Sequence, residues 1–148
     1  MILLVGNMPG VISMRDDVTI VILGEPASKA NSRRIVHIKG RMVPIKSQKA
    51  LDYVGSLRVQ ASAQVKEMIE GDLRVEMVIH YASRRPDLDE SVILDALQGI
   101  AYENDRQVKQ RMTYWALDKD MPRSVIRITK CDVSDVPAYL HTESKPPA

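Results

Sequence analysis

The spacing of apolar residues changes along this chain, and the changes divide it into elements. Val18 to Gly24, VTIVILG, is β-branched and mostly apolar, which predicts a strand. EPASKANSRR follows, rich in polar and turn-forming types, and reads as a loop. IVHIKGRMVPI predicts a hairpin, Ile35 to Ile38 and Met42 to Ile45 about a Lys39-Gly40 turn. Leu51, Val54, Leu57, Ala61, Val65 and Met68 then recur at helical spacing. They predict one buried stripe on a helix from about Gln48 to Glu70, with Ser47 as its N-cap and Gly71 as its stop.

LRVEMVIHYA alternates, with Leu73, Val75, Met77 and Ile79 on one face and Arg74, Glu76 and His80 on the other, the pattern of a half-buried strand. RRPDLD is the loop after it. A helix is expected from about Glu90 to Gln98, with Val92, Ile93, Ala96, Leu97 and Ile100 inward and Gly99 closing it. Strands follow near Val108 to Ala116 and over SVIRITK. Strands and helices intermix, so the expected class is α/β (α+β): a small mixed sheet covered by two helices. The expected organisation is a flexible extension over 1–16, one domain over 17–131 and a loose polar tail over 132–148. The apolar opening MILLVGNMPGVISM has no basic lead and is too short to span a bilayer; a start assigned upstream of Met14 would also account for it.

Composition narrows the chemistry. The chain has 148 residues and a single cysteine, Cys131, which cannot form an intrachain bridge. That suits a reducing compartment, and with no membrane-length apolar run a cytoplasmic protein is expected. One cysteine and three scattered histidines exclude a Cys/His zinc pattern, so any metal site must use oxygen ligands. The net charge of +2 says little, but its distribution says more. Lys29, Arg33, Arg34, Lys39, Arg41, Lys46 and Lys49 fall in a stretch without an acid. That stretch is either a solvated face or a phosphate-binding surface.

Against this basic stretch stands RRPDLDES, Arg84 to Ser91, where Asp87, Asp89 and Glu90 crowd together ahead of an apolar run. One assignment is structural: Asp89 accepts from the free amides of a helix's first turn, and Glu90 suits the positive end of the dipole. A calcium loop fails on register, because its sixth position is Val92 rather than glycine and its twelfth is Gln98 rather than glutamate. The other assignment is a catalytic divalent-metal site. Asp87 and Asp89 would project toward one point, with Asp105 of ENDRQV as third acid and Asp95 as a further candidate. Carboxylates around Mg²⁺ activate water and neutralise phosphate charge in phosphodiester hydrolysis. Arg84, Arg85 and the basic loop would hold flanking phosphates.

GEPASKANSRR, RRPDLDES, LDALQGIAYENDRQV and a final strand, in this order, resemble the RusA-like Holliday-junction resolvases, the crossover-junction endodeoxyribonucleases of phages and prophages. The resemblance runs from about Val18 to Lys130. It implies a small homodimeric, Mg²⁺-dependent endonuclease that cuts branched DNA, such as a four-way junction, by paired nicks. Asp87 and Asp89 match the two acids of the family's D-L-D motif, Asp105 its later catalytic acid and Asp95 the acid of its D-A-L segment. Asn104 stands where the family often has another aspartate. Lys29, Asn31, Arg33 and Arg34 match its early loop, and with Lys46, Arg84 and Arg85 they are the expected DNA contacts. Tyr102 and Trp115 are candidates for stacking on an unpaired base, with core or dimer contact as the competing assignment. His37 and His80 are expected at the surface, and Asp118 and Asp120 are expected to offset Arg111 and Arg123.

Two departures stand out. The family pattern has a lysine four residues after the second acid of D-L-D; here that residue is Ile93, and no lysine occurs from Arg84 to Val108. The segment before LDAL is also shorter by about two residues, and Glu90 replaces the motif's asparagine. Losing a cation beside the scissile phosphate would raise the barrier by on the order of a few kcal/mol. Lys29, Arg84, Arg85 or Lys109 would have to replace it; otherwise the protein binds junctions without cutting them. A third possibility is a structural domain in which the acids only cap a helix.

Overall fold

The computed structural model describes residues 16–28 and 33–142. The expected extension over 1–16 lies almost wholly outside them, as do Lys29 and Asn31. Among the described residues six strands form: β1 (Asp17–Leu23), β2 (Arg33–Ile38), β3 (Arg41–Lys46), β4 (Leu73–Tyr81), β5 (Val108–Leu117) and β6 (Arg123–Lys130). Two helices join them, α1 (Gln48–Gln64) and α2 (Ser91–Ala96). The main sheet has the order β1-β6-β4-β5, and β2-β3 is a separate hairpin. β6 is antiparallel to both its neighbours, whereas β4 and β5 are parallel. Parallel neighbours need a crossover rather than a tight turn. Here the crossover carries α2 and, through it, the acids. This is the mixed sheet with two helices that the spacing predicts.

Strand alternation builds one core. Val18, Ile20 and Ile22 of β1, Ile126 and Ile128 of β6, and Leu73, Val75, Met77, Ile79 and Tyr81 of β4 all enter it. Tyr53, Leu57 and Ala61 of α1 pack there with Ile93, Leu94, Ala96 and Leu97 from the crossover. The hairpin turns through Lys39 (φ 50°) and Gly40 (φ 78°), two successive left-handed residues that suit strand twist. Its strands extend beyond the expected bounds by two residues at Arg33 and one each at Arg41 and Lys46.

The first helix differs most from expectation. Ser47 does cap it, accepting from the Ala50 N–H at 3.2 Å. It ends at Gln64 rather than at Glu70, because Val65 is already extended. Ile69 is then buried, and its N–H donates to Ala101 O at 2.8 Å, a tertiary bond in place of a helical one. The buried face is also rotated. Ala50, Tyr53, Leu57 and Ala61 point inward, while Leu51 (49 % exposed) and Met68 (45 %) do not. The second helix is shorter than expected as well. Its buried set includes Leu94, while Val92 and Ile100 are only partly covered; Gly99, at φ 82°, follows it as expected.

α1 also closes an open edge. Gln64 accepts from Val21 N–H (2.9 Å) and donates to Val21 O (2.7 Å), and Gln60 does the same at Leu23 (2.8 and 3.2 Å). Each amide thus stands in for a neighbouring strand along the outer side of β1, where unpaired backbone invites association. Replacing Gln60 and Gln64 together with alanine is expected to cost about 1–2 kcal/mol. The melting midpoint should fall by about 3–6 °C. An unchanged midpoint in a thermal melt followed by circular dichroism would count against the clamp.

At the other end of the sheet, the stretch after β6 turns back toward β5. Arg74 pairs with Asp135 (3.1 Å), and Gln110 donates to the carbonyls of Asp132 (3.4 Å) and Asp135 (3.0 Å). Cys131 is a partly exposed free thiol whose pKa desolvation raises, which makes it a poor nucleophile. No helix among the described residues is long and apolar enough to cross a membrane.

Candidate active site

The loop Pro86–Asp89 is held from below by two aromatic side chains. Tyr81, the last residue of β4, stacks on Trp115 of β5, with ring centroids 5.7 Å apart. Trp115 Nε1–H donates to Pro86 O at 3.0 Å. The Tyr81 hydroxyl donates to Asp87 O (3.3 Å) and accepts from Asp89 N–H (3.4 Å). Desolvation raises the Tyr81 pKa, helped by the nearby carboxylates, so the phenol stays neutral and keeps its donor. Tyr81 and Trp115 therefore set where Asp87 and Asp89 stand. Trp115 is used inside the fold, and Tyr102 is fully buried with its hydroxyl on Leu94 O at 2.5 Å. Neither ring is left free to stack on a base.

Asp89 does begin the helix as expected. Its Oδ1 accepts from both Ser91 N–H (3.0 Å) and Ser91 Oγ–H (2.7 Å). Glu90, in place of the motif's asparagine, turns toward the sheet, where Thr113 Oγ1 donates to its Oε2 at 2.6 Å. Its charge is thus engaged with β5. Asp87 is exposed and Asp89 half-buried.

Asp95 and Asp105 are linked through one side chain. Gln98 Nε2 donates to Asp95 Oδ1 (2.8 Å), while Asp105 N–H donates to Gln98 Oε1 (3.0 Å). Asn104 accepts from Arg106 N–H (2.9 Å) and caps the single 3-10 turn, Asp105–Gln107, that presents Asp105. Arg58 of α1 ties down the end of α2, donating to Ala96 O (2.8 Å) and Gln98 O (3.1 Å). Asp95 is exposed, although it belongs to an otherwise apolar segment.

An open pocket of about 290 Å³ joins these acids to the basic hairpin. Asp89, Ser91 and Asp95 line one part of it, Arg33 and Lys46 another, with Ala50 and Tyr53 of α1 between. Burial raises the Tyr53 phenol's pKa, so it stays a neutral wall and not a base. Among the described residues, no ion pair involves Asp87, Asp89, Asp95, Asp105, Arg33 or Lys46. Arg84 and Arg85 are exposed on the loop before Pro86, and Arg34 is exposed on β2, outside the pocket. Arg123, by contrast, is neutralised by Asp118 at 2.7 Å, as expected. His37 is exposed and His80 half-buried.

The acids form a linked row rather than a closed cage. Among the described residues, no three His, Cys, Asp or Glu side chains gather closely enough to hold a metal ion, so Asp87, Asp89 and Asp105 do not converge on one point. The donors nonetheless suit a hard cation. Mg²⁺ is commonly held by one or two carboxylates, with water and substrate phosphate completing its shell. Asp89 and Asp95 on one pocket supply such a pair. The roles of Tyr81, Gln98 and Trp115 in placing the acids were not legible in the linear pattern, since each acts on a residue distant in sequence or through the backbone. One signal did exist: the phase of the alternation along β4, which turns Tyr81 inward at the strand's end.

The whole chain matches no curated protein. The model of the family Endodeoxyribonuclease RusA, a family of phosphodiester hydrolases, matches residues 24–129. The match takes in the hairpin, the acidic loop, the crossover and nearly all of the last strand, and on it the chain belongs to the RusA endodeoxyribonuclease family.

Proposed function

We propose that this endonuclease resolves four-way or otherwise branched DNA in a Mg²⁺-dependent reaction, as a homodimer in the cytoplasm. Asp87, Asp89 and Asp105 are its metal-holding acids, and Asp95 shares the pocket of Asp89. Family membership supports the substrate class and the need for a divalent metal. The observation that carries the reading is the pocket in which acids from the crossover face bases from the hairpin, none of them in an ion pair among the described residues. A phosphodiester needs both: acids to hold a cation, and bases to hold the phosphates. When bound, Mg²⁺ supplies Lewis acidity at a phosphoryl oxygen and a more acidic water. Asp89 is oriented by Ser91, and Asp105 by Gln98 and the Asn104 cap. Arg34, Arg84, Arg85 and the early loop extend the DNA contacts outward from the pocket. Paired nicks across one junction call for two such sites, hence a dimer.

A labelled synthetic four-way junction should be cut in Mg²⁺ and left intact in excess EDTA, with linear duplex of the same sequence uncut. Absence of cuts in Mg²⁺ would overturn the reading. A second reading, a junction-binding protein without turnover, is favoured by one observation: Ile93, at the place of the family lysine, is fully buried. It requires salt-sensitive junction binding with no Mg²⁺-dependent nicks.

A further inference from the structure

The family lysine cannot be restored at residue 93, because that side chain lies in the core. Of the replacements suggested by sequence, Arg84, Arg85 and Lys109 do not line the pocket of Asp89 and Asp95, and Lys29 lies outside the described residues. The basic side chains that do line it are Arg33 and Lys46. They are directly opposed across the β2–β3 ladder. Like charges at directly opposed positions of an antiparallel pair repel, and no ion pair among the described residues relieves either one. An anion between them and the acids' bound cation would. Lys46 is also well anchored for an exposed residue. It immediately precedes Ser47, whose hydroxyl caps α1 at Ala50, and Ala50 is itself a wall of the pocket.

We infer that Lys46, from the hairpin, supplies the positive charge at the scissile phosphate that the missing helix lysine would have supplied, while Arg33 holds the phosphate in place. The inference rests on the nuclease reading above. In the step concerned, water's oxygen bonds to phosphorus as the P–O bond to the departing strand breaks. The water gives up one proton and the departing alkoxide takes one. The Lys46 ammonium moves no proton; it opposes the negative charge that grows on the phosphoryl oxygens. A lysine suits this role as a compact point charge on a flexible stem, and an arginine suits the two-point grip.

The test compares wild type with Lys46→Met, Lys46→Gln and Lys46→Arg. The readouts are the single-turnover cutting rate, with protein saturating over a four-way junction in Mg²⁺, and junction binding in metal-free buffer. The neutral variants should cut about 100-fold more slowly at saturation. Their binding should weaken by only about 3-fold, as for the loss of one phosphate contact. Lys46→Arg should recover most of the rate, and Arg33→Gln should weaken binding more than it slows the saturated rate. Two neutral substitutions guard against one that disturbs the start of α1. If wild type cuts and both neutral variants cut equally fast at saturation, Lys46 only binds DNA, and the inference falls while the nuclease reading stands. If wild type makes no cuts, both fall together.

Discussion

Asp89→Asn is expected to leave the protein folded and to slow Mg²⁺-dependent junction cutting by about 1,000-fold. The asparagine keeps an Oδ1 that can accept from Ser91 N–H and Ser91 Oγ–H, so the start of α2 survives. What it removes is the charge facing the pocket shared with Asp95, Arg33 and Lys46. Asp89→Ala removes the charge and the cap together, and should cost about 1 kcal/mol of stability besides. The pair of variants separates the two roles of one side chain. Were the acids mere caps, Asp89→Asn would behave as wild type in every DNA assay and only Asp89→Ala would show a defect, in a melt. Wild-type cutting rates for Asp89→Asn would therefore remove Asp89 from the site.

Trp115→Ala should damage both the fold and the chemistry. The indole is partly buried against the core and stacked on Tyr81, and its N–H satisfies Pro86 O. Losing that packing and leaving the carbonyl without its donor should cost about 2–3 kcal/mol, less than a fully buried tryptophan would. The melting midpoint should drop by about 8 °C. Cutting should slow by about 10-fold or more even well below the midpoint, because the loop carrying Asp87 and Asp89 loses a fixed point. Trp115→Phe isolates the hydrogen bond: it keeps a stacked ring, so its effect should fall more on cutting than on melting. Cutting by Trp115→Phe at the wild-type rate would mean that the Pro86 contact does not position the acids.

Much of the fold was readable because its signals are local. The alternation in LRVEMVIHYA survives as an inward row from Leu73 to Tyr81, and Ser47 caps α1 where a serine before a periodic run should. Errors came where the decision was not local. The stripe through Leu51 and Met68 fits helical spacing as well as the one through Ala50, Tyr53, Leu57 and Ala61. The second won because the sheet faces it. Nothing near Val65 announces the end of α1; Ile69 leaves the helix to bury its side chain and bond Ala101.

The candidate site divides in the same way. By itself the sequence determined the strands, the hairpin, the mixed class, the acid types and the family motifs, since these depend on periodicity, turn chemistry and residue identity over short spans. Only the tertiary structure decided which groups meet. It turned Glu90 onto Thr113, buried Ile93 and Tyr102, set Trp115 under Pro86, and joined Asp95 to Asp105 through Gln98. It also brought Arg33 and Lys46 to the pocket of Asp89. The physical reason is that a side chain's partners across a pocket depend on how the hairpin, helix and crossover pack against one sheet. That packing sums contacts over the whole chain, which no short stretch encodes.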